Sequence, residues 1–357
     1  MTQHTEISRI CAGVHQRGLS LIELMVAMTL GAVLIFGATQ VYVNSRNSYG
    51  VNESVARLQE TARYAMAVIE PDIRMANYWG LVNSAPAAIA APGTALACGA
   101  NFAVDVRNNL QGSNNAYQLD VGAPACDSVP DFTSGVARAT NAVTTADTLT
   151  VRRAAALPVV PSSVTTAGVM QICSNRSTGV MEVNGAACLA PPTGQINDLI
   201  VNAYYIDRNS AQQANLPSLR RKTLSSVQGG VPRILDQEII PGVEDMQIQF
   251  GIDPTGNTGV VTRYVNPDAV PFGALVVAVR VWLLVRSDTA ESGFTDARIY
   301  QYGDRVGGGA TGDLNSVAAA GVPYQPSQNP DASVLGPQHV RRLLMSRTIF
   351  IRNALDN

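Results

Sequence analysis

Gly18-Leu19-Ser20-Leu21-Ile22-Glu23 opens the stretch that decides the fold, LSLIELMVAMTLGAVLIFGATQVYV, which runs from Leu19 to Val43. Glu23 is its only charge, and the next charge is Arg46. As helix, these 25 residues reach about 37 Å at roughly 1.5 Å per residue, more than the roughly 30 Å of a bilayer's hydrocarbon core. A buried helix of a globular protein is rarely apolar on every face for so long. The residues before it, MTQHTEISRICAGVHQRG over 1–18, are polar and carry Arg9 and Arg17. Two ordinary explanations leave something over. A cleaved secretory signal shares the basic start, but its apolar core spans about 7–15 residues and ends in an A-x-A-like site; Phe36-Gly37-Ala38-Thr39 is a poor one. A plain membrane anchor, its basic start kept in the cytoplasm, fits the length. It does not explain Glu23, because a carboxylate costs about 2.5–3.5 kcal/mol inside a spanning segment and marks a functional position.

The junction resembles the type IV prepilin motif. In that family a membrane aspartyl peptidase cuts after the glycine, the new N-terminal residue is methylated on its amine, and a glutamate at mature position five precedes an apolar stretch. The resemblance implies a cleavage between Gly18 and Leu19, N-methylation of Leu19, and an assembly role for Glu23. Leucine stands here where phenylalanine is commonest. Cleavage frees a positive amine at Leu19, one helical turn from Glu23. In the family the glutamate pairs with the terminal amine of a neighbouring subunit. In low dielectric such a pair is strong and either charge alone is costly, which makes Glu23 a register device for subunits leaving the membrane. The plainer alternative is a carboxylate that snorkels to the interface or stays protonated.

Beyond Arg46 the sequence turns amphipathic. Val51, Val55, Leu58, Ala62, Ala65 and Ile69 fall three or four apart on one helical stripe, with Glu53, Arg57, Glu60 and Arg63 off it. Helix is expected from about Ser20 to near Ala76, kinked or restarted at Pro71. After Gly80 comes an Ala-, Pro- and Gly-rich loop. Strand-like runs follow at Tyr117–Val121, Thr148–Arg152, Leu199–Asp207, Leu219–Leu224, Arg233–Ile240, Met246–Ile252, Leu275–Arg286 and Leu343–Arg352. Residues 301–338 read as an exposed loop. The fold class is α+β, a long helix against a mainly antiparallel sheet. The expected organisation is a leader over 1–18, a transmembrane or filament-core helix over 19–45, an amphipathic helix over 46–80, and a disulfide-containing β-rich head over 81–357.

Composition narrows function by exclusion. The net charge is −2 and charged residues make up 15% of the chain, so no broad basic face offers itself to nucleic acid. The basic clusters Arg152-Arg153, Arg220-Arg221-Lys222 and Arg341-Arg342 read as solvated strand ends. Cys11 leaves with the leader. Cys98, Cys126, Cys173 and Cys188 remain, an even set that allows three disulfide connectivities. Proximity favours Cys98–Cys126 and Cys173–Cys188, the latter bracketing a hairpin-like stretch. No C-x-x-C is present and His339 is the one histidine of the mature chain, which argues against zinc. The loop GIDPTGNTG holds Asp253 as its only acid, too few hard oxygens for calcium. A hydrolytic triad could rest only on His339, Gly307-Gly308-Gly309 lacks the lysine of a phosphate loop, and Glu244-Asp245 reads as a surface pair facing opposite ways on a strand. No cofactor and no enzymatic activity are expected.

Further stretches narrow the resemblance. RYAMAVIEPDIRMANYWG, IPGVEDMQIQFGID, VVAVRVWLLVRS and RRLLMSRTIFIRN resemble, in order, segments of PilW-type minor pilins. This implies a minor pilin that is processed by prepilin peptidase, sits in the inner membrane of a Gram-negative bacterium with a periplasmic head, joins other minor pilins and the major pilin, primes pilus assembly, and ends at the pilus tip. The alternatives are a minor pseudopilin of type II secretion and a tip adhesin or DNA-uptake receptor.

Overall fold

A computed structural model describes residues 18, 20–82, 89–90, 103–117, 142–143, 145–159, 168–183, 194–226, 232–256, 258–291, 293–305 and 339–354. Leu19, Cys98, Cys126, Cys188, residues 118–121 of one expected strand and residues 306–338 of the expected loop lie outside that set.

Helix α1 spans Leu21–Arg74. Its residues up to Glu53 belong to one compact unit and those from Ser54 to a second. The first part is long and apolar enough to cross a membrane, with a window of mean hydropathy 2.2 and no buried residue. In the second part Leu58, Ala62, Ala65, Met66, Ile69 and Ile73 are buried at spacings of three and four. Burial starts at Leu58; Val55, expected on the stripe, is exposed. Pro71 does not restart the helix, which runs through it. It has no N–H for the Ala67 carbonyl, but it sits in the last turn, where its own carbonyl accepts from Met75 N at 3.1 Å. The chain then tightens, Ala76 N reaching Ile73 O at 3.1 Å.

The strands are β1 Ile89–Ala90, β2 Leu110–Ser113, β3 Thr148–Ala154, β4 Met170–Ser174, β5 Gly179–Val183, β6 Gln195–Asp207, β7 Ser218–Ser226, β8 Pro232–Pro241, β9 Val243–Asp253, β10 Arg263–Val265, β11 Leu275–Arg286 and β12 Arg342–Phe350. They form two sheets, where a single one was expected. In the first, β6 is the branch point: its first residues pair with β4 and the rest with β3 and β7. β4 and β5 form the hairpin expected after Cys173, and the β1–β5 contact is parallel. The second sheet has the order β10-β9-β11-β12 and is antiparallel throughout.

One apolar core joins the helix stripe to both sheets. It takes Ile69 and Ile73 from α1, Leu149 and Val151 from β3, Ile248 and Phe250 from β9, Val281 and Leu283 from β11, and Ile349. A second cluster gathers around Trp79, Met170, Ile172 and Val201.

The charged residues require two corrections. Arg152, Arg220, Lys222 and Arg342 are buried rather than solvated. A strand alternates its faces, so a basic run necessarily turns every second residue inward. In Arg220-Arg221-Lys222 the outer two turn in. A cross-strand acid meets the first, Arg220 Nε lying 3.0 Å from Asp236 Oδ1, while the Lys222 ammonium sits 5.9 Å from the centre of the Tyr205 ring. Arg152 donates to Asn108 O at 2.6 Å and to Gln111 Oε1 at 2.9 Å. Glu244 and Asp245 do face opposite ways, but both are buried. Glu244 takes Arg342 at 2.6 Å and Asp245 takes Arg305 at 2.7 Å.

Candidate processing and assembly site

The start of α1 is built by Ser20. Its side-chain Oγ accepts the backbone N–H of Glu23 at 3.2 Å, and its carbonyl accepts Leu24 N at 3.1 Å. Ser20-Leu21-Ile22-Glu23 has the S-x-x-E form of an N-terminal cap, so the four residues that follow the expected mature N-terminus, Leu19, fix the first helical turn. A carboxylate in that turn is favoured by the helix dipole. Gly18 has open space around it, with no atom near where a side chain would begin. Leu21, Ile22, Leu24, Met25 and Val26 around Glu23 are all exposed apolar groups. The polar side chains farther along satisfy themselves on the helix: Thr29 Oγ1 donates to Val26 O at 2.9 Å and Thr39 Oγ1 to Ile35 O at 2.8 Å. Such bonding is what lets hydroxyls sit in hydrocarbon.

Within the second unit, the stretches that carried the narrower resemblance come together. Asp72, buried in the last turn of α1, accepts Arg153 NH2 at 2.7 Å, Asn202 Nδ2 at 2.5 Å and Tyr204 OH at 2.6 Å, tying the helix to β3 and β6. Burial, then the Asp72 charge, holds the Tyr204 phenol well above its ordinary pKa. Glu70 binds both Arg74 and Arg347, the latter on β12. Arg352 N donates to Arg74 O at 3.1 Å, and Asn77 Nδ2 to Asn353 O at 2.8 Å. The end of the helix and the end of the chain are thus clasped. Asn77 itself is left-handed, with φ 65°, and its Oδ1 holds Trp79 Nε1 at 3.1 Å. Gly80 follows at φ 78°, where a Cβ would meet Ser174 Oγ at 2.5 Å; glycine is required on both counts.

Two buried polar groups lay beyond sequence reasoning. Arg342 bridges Glu244 and Asp296, reaching the latter at 3.2 Å. Arg305 binds Asp245 beside Tyr302 OH, which donates to Asp245 Oδ2 at 2.5 Å. Burial alone would lower the Arg305 pKa, but the adjacent Asp245 outweighs it and raises it. Nearby, Asp147 accepts Asn115 N at 2.8 Å and Ile248 N at 2.7 Å; burial, aided by the charge of Asp304, pushes its carboxyl well up. The available signal was the spacing of acids and bases on strands that turn out to be neighbours, and it becomes readable only with the register. The Asp253 loop is closed internally. Its carboxylate takes Thr255 Oγ1 at 2.6 Å, Thr258 Oγ1 at 2.7 Å and Gly259 N at 2.9 Å, and these bonds, the threonine hydroxyls foremost, hold it far below the usual carboxylate range.

Among the described residues no three His, Cys, Asp or Glu side chains are placed to hold a metal ion. His339 lies at the surface with Nδ1 2.5 Å from Phe294 O. Cys173, on β4, is disulfide-bonded; the other three cysteines of the expected pairs lie outside the described residues.

Comparison with known proteins agrees with this arrangement. Residues 14–39 match the prokaryotic N-terminal methylation motif, and residues 203–353 match the family described as type IV pilus-assembly protein W. The second match takes in β7 to β12 and the Asn353 clasp. A type IV-like pilin from Thermus thermophilus aligns over 58% of this chain and 78% of that one at 14% identity, with a TM-score of 0.25, too loose a likeness to add to the two matches. No curated protein matches the chain.

Proposed function

We propose that this chain, which the methylation motif and the pilus-assembly W match mark as a type IV minor pilin, is cut between Gly18 and Leu19, methylated on Leu19, and used to prime the assembly of a pilus whose tip it occupies. The observation that carries the reading is the union, in one chain, of a glycine-bounded junction opening an apolar helix whose single early charge is Glu23 and a head that matches the W family. Cleavage converts the junction into an amine one turn from Glu23, both flanked by lipid-compatible side chains. A neighbouring subunit's amine then satisfies Glu23, and only a subunit in the correct axial register can do so. Before assembly the helix anchors the protein in the inner membrane with the head in the periplasm. The specific neighbours are other minor pilins and the major pilin. The clasp of Arg74 and Asn77 on Arg352 and Asn353, with Asp72 on Arg153, supports a head carried as one body by its helix during extraction from the membrane.

The test is genetic and microscopic. Deleting the chain should sharply reduce surface pili, and the wild-type gene should restore them where a Glu23→Ala variant does not. Immunogold labelling should mark pilus ends. Even labelling along shafts, in amounts matching the major pilin, would contradict the tip assignment.

A further inference from the structure

Among the described residues β12 is the outermost strand of its sheet and pairs with β11 alone. Ile351, just past it, donates its N–H to Val277 O at 3.0 Å. Antiparallel partners alternate, so the amides and carbonyls of Leu343, Met345, Arg347 and Ile349 face β11, while those of Leu344, Ser346, Thr348 and Phe350 face away. On that outer side these four residues have no backbone partner. The next outward amide, Arg352, is bonded to Arg74 O and ends the free stretch. Ser346, Arg347, Thr348 and Phe350 are all exposed. No proline or bulge interrupts β12, although natural sheets commonly blunt an open edge in such ways.

We propose that this edge of β12 receives an extended segment from a different subunit of the same pilus, which adds to the sheet as a fifth strand; the proposal rests on reading the chain as a pilus subunit. Backbone pairing supplies the affinity in such additions and alternate side chains supply the choice of partner. Charge narrows that choice. Arg74 and Arg347 share one carboxylate, Glu70. Among the described residues these two guanidiniums against one carboxylate leave an excess of one positive charge at the edge. The incoming segment therefore carries an acidic side chain beside Arg347, and an apolar one against the exposed Phe350. A second copy of this chain presents the same arginines and is the disfavoured occupant.

The test uses the full-length protein in cells that make the pilus, with a photo-crosslinking amino acid at Thr348 and mass spectrometry of the product. The expected product joins Thr348 to an extended, acid-bearing segment of another pilus subunit. Ser346→Pro removes an outward N–H that β11 does not use, and should cut the crosslink about tenfold, the factor that corresponds to one lost backbone bond of typical strength. It should leave the thermal midpoint and leader cleavage unchanged, and Ser346→Ala should crosslink as the wild type does. No crosslink in a correctly processed protein, a product joining two copies of this chain, or an unchanged yield with Ser346→Pro would overturn the edge proposal alone. A wild-type protein that keeps its leader would overturn the pilin reading beneath it.

Discussion

Replacing Arg342 by methionine probes a buried ion pair in the head. The side chains of Arg342 and Glu244 are both 0% exposed and make two contacts, Nε to Oε2 at 2.6 Å and NH2 to Oε1 at 3.1 Å. A third bond reaches Asp296 Oδ2 at 3.2 Å. Methionine fills much of the volume but leaves Glu244 buried with neither partner. Asp296 keeps the Tyr300 hydroxyl at 3.0 Å. Stripping one side of a buried pair costs about 3–5 kcal/mol, a fifth or more of the roughly 5–15 kcal/mol that stabilises an ordinary domain. Arg342→Met with Glu244→Gln removes the orphaned charge and should recover a large part of the loss at pH 7. The assay is urea unfolding of the detergent-solubilised full-length chain, followed by the fluorescence of Trp79 and Trp282. A loss under about 1 kcal/mol, the level of an exposed pair, or no recovery in the double variant, would refute the reasoning.

Gly80→Ala should cost about 1–3 kcal/mol in the same unfolding experiment, since alanine meets both an unfavourable φ of 78° and the Ser174 and Asn197 side chains. Cys173→Ser should lower stability by about 2–4 kcal/mol in the same unfolding experiment without reductant, and reductant should close the gap between the wild type and the variant. Asp147, with its carboxyl raised by burial, favours the fold while protonated and loses that contribution as pH rises through its folded pKa; Asp147→Asn should remove this part of the pH slope, seen as a flatter curve of stability against pH.

The N-terminal helix is legible because hydrophobicity speaks there without context. Twenty-five residues with one charge admit few structures, and Ser20 and Glu23 declare the helix start at a spacing that needs no tertiary information. β11 is legible for the same reason: Leu275–Arg286 is apolar enough to be a central strand, and it lies between β9 and β12. β2 and β10 escape notice because Leu-Gln-Gly-Ser and Arg-Tyr-Val are too short to show a period. The buried charges escape for a different reason. Nothing local to Arg342 says that Glu244, 98 positions away, will stand beside it, and a charged residue is by default a surface residue. The junction at Gly18 and Glu23 could be read because its meaning is covalent and helical; the β12 edge could not, because an edge exists only once the order of the strands is known.

The mass and N-terminal sequence of the protein from native membranes, with and without the prepilin peptidase, test the pilin reading at its root. A mature chain beginning at methylated Leu19, formed only when the peptidase is present, is the predicted result. A chain that keeps residues 1–18, or is cut elsewhere, would contradict it.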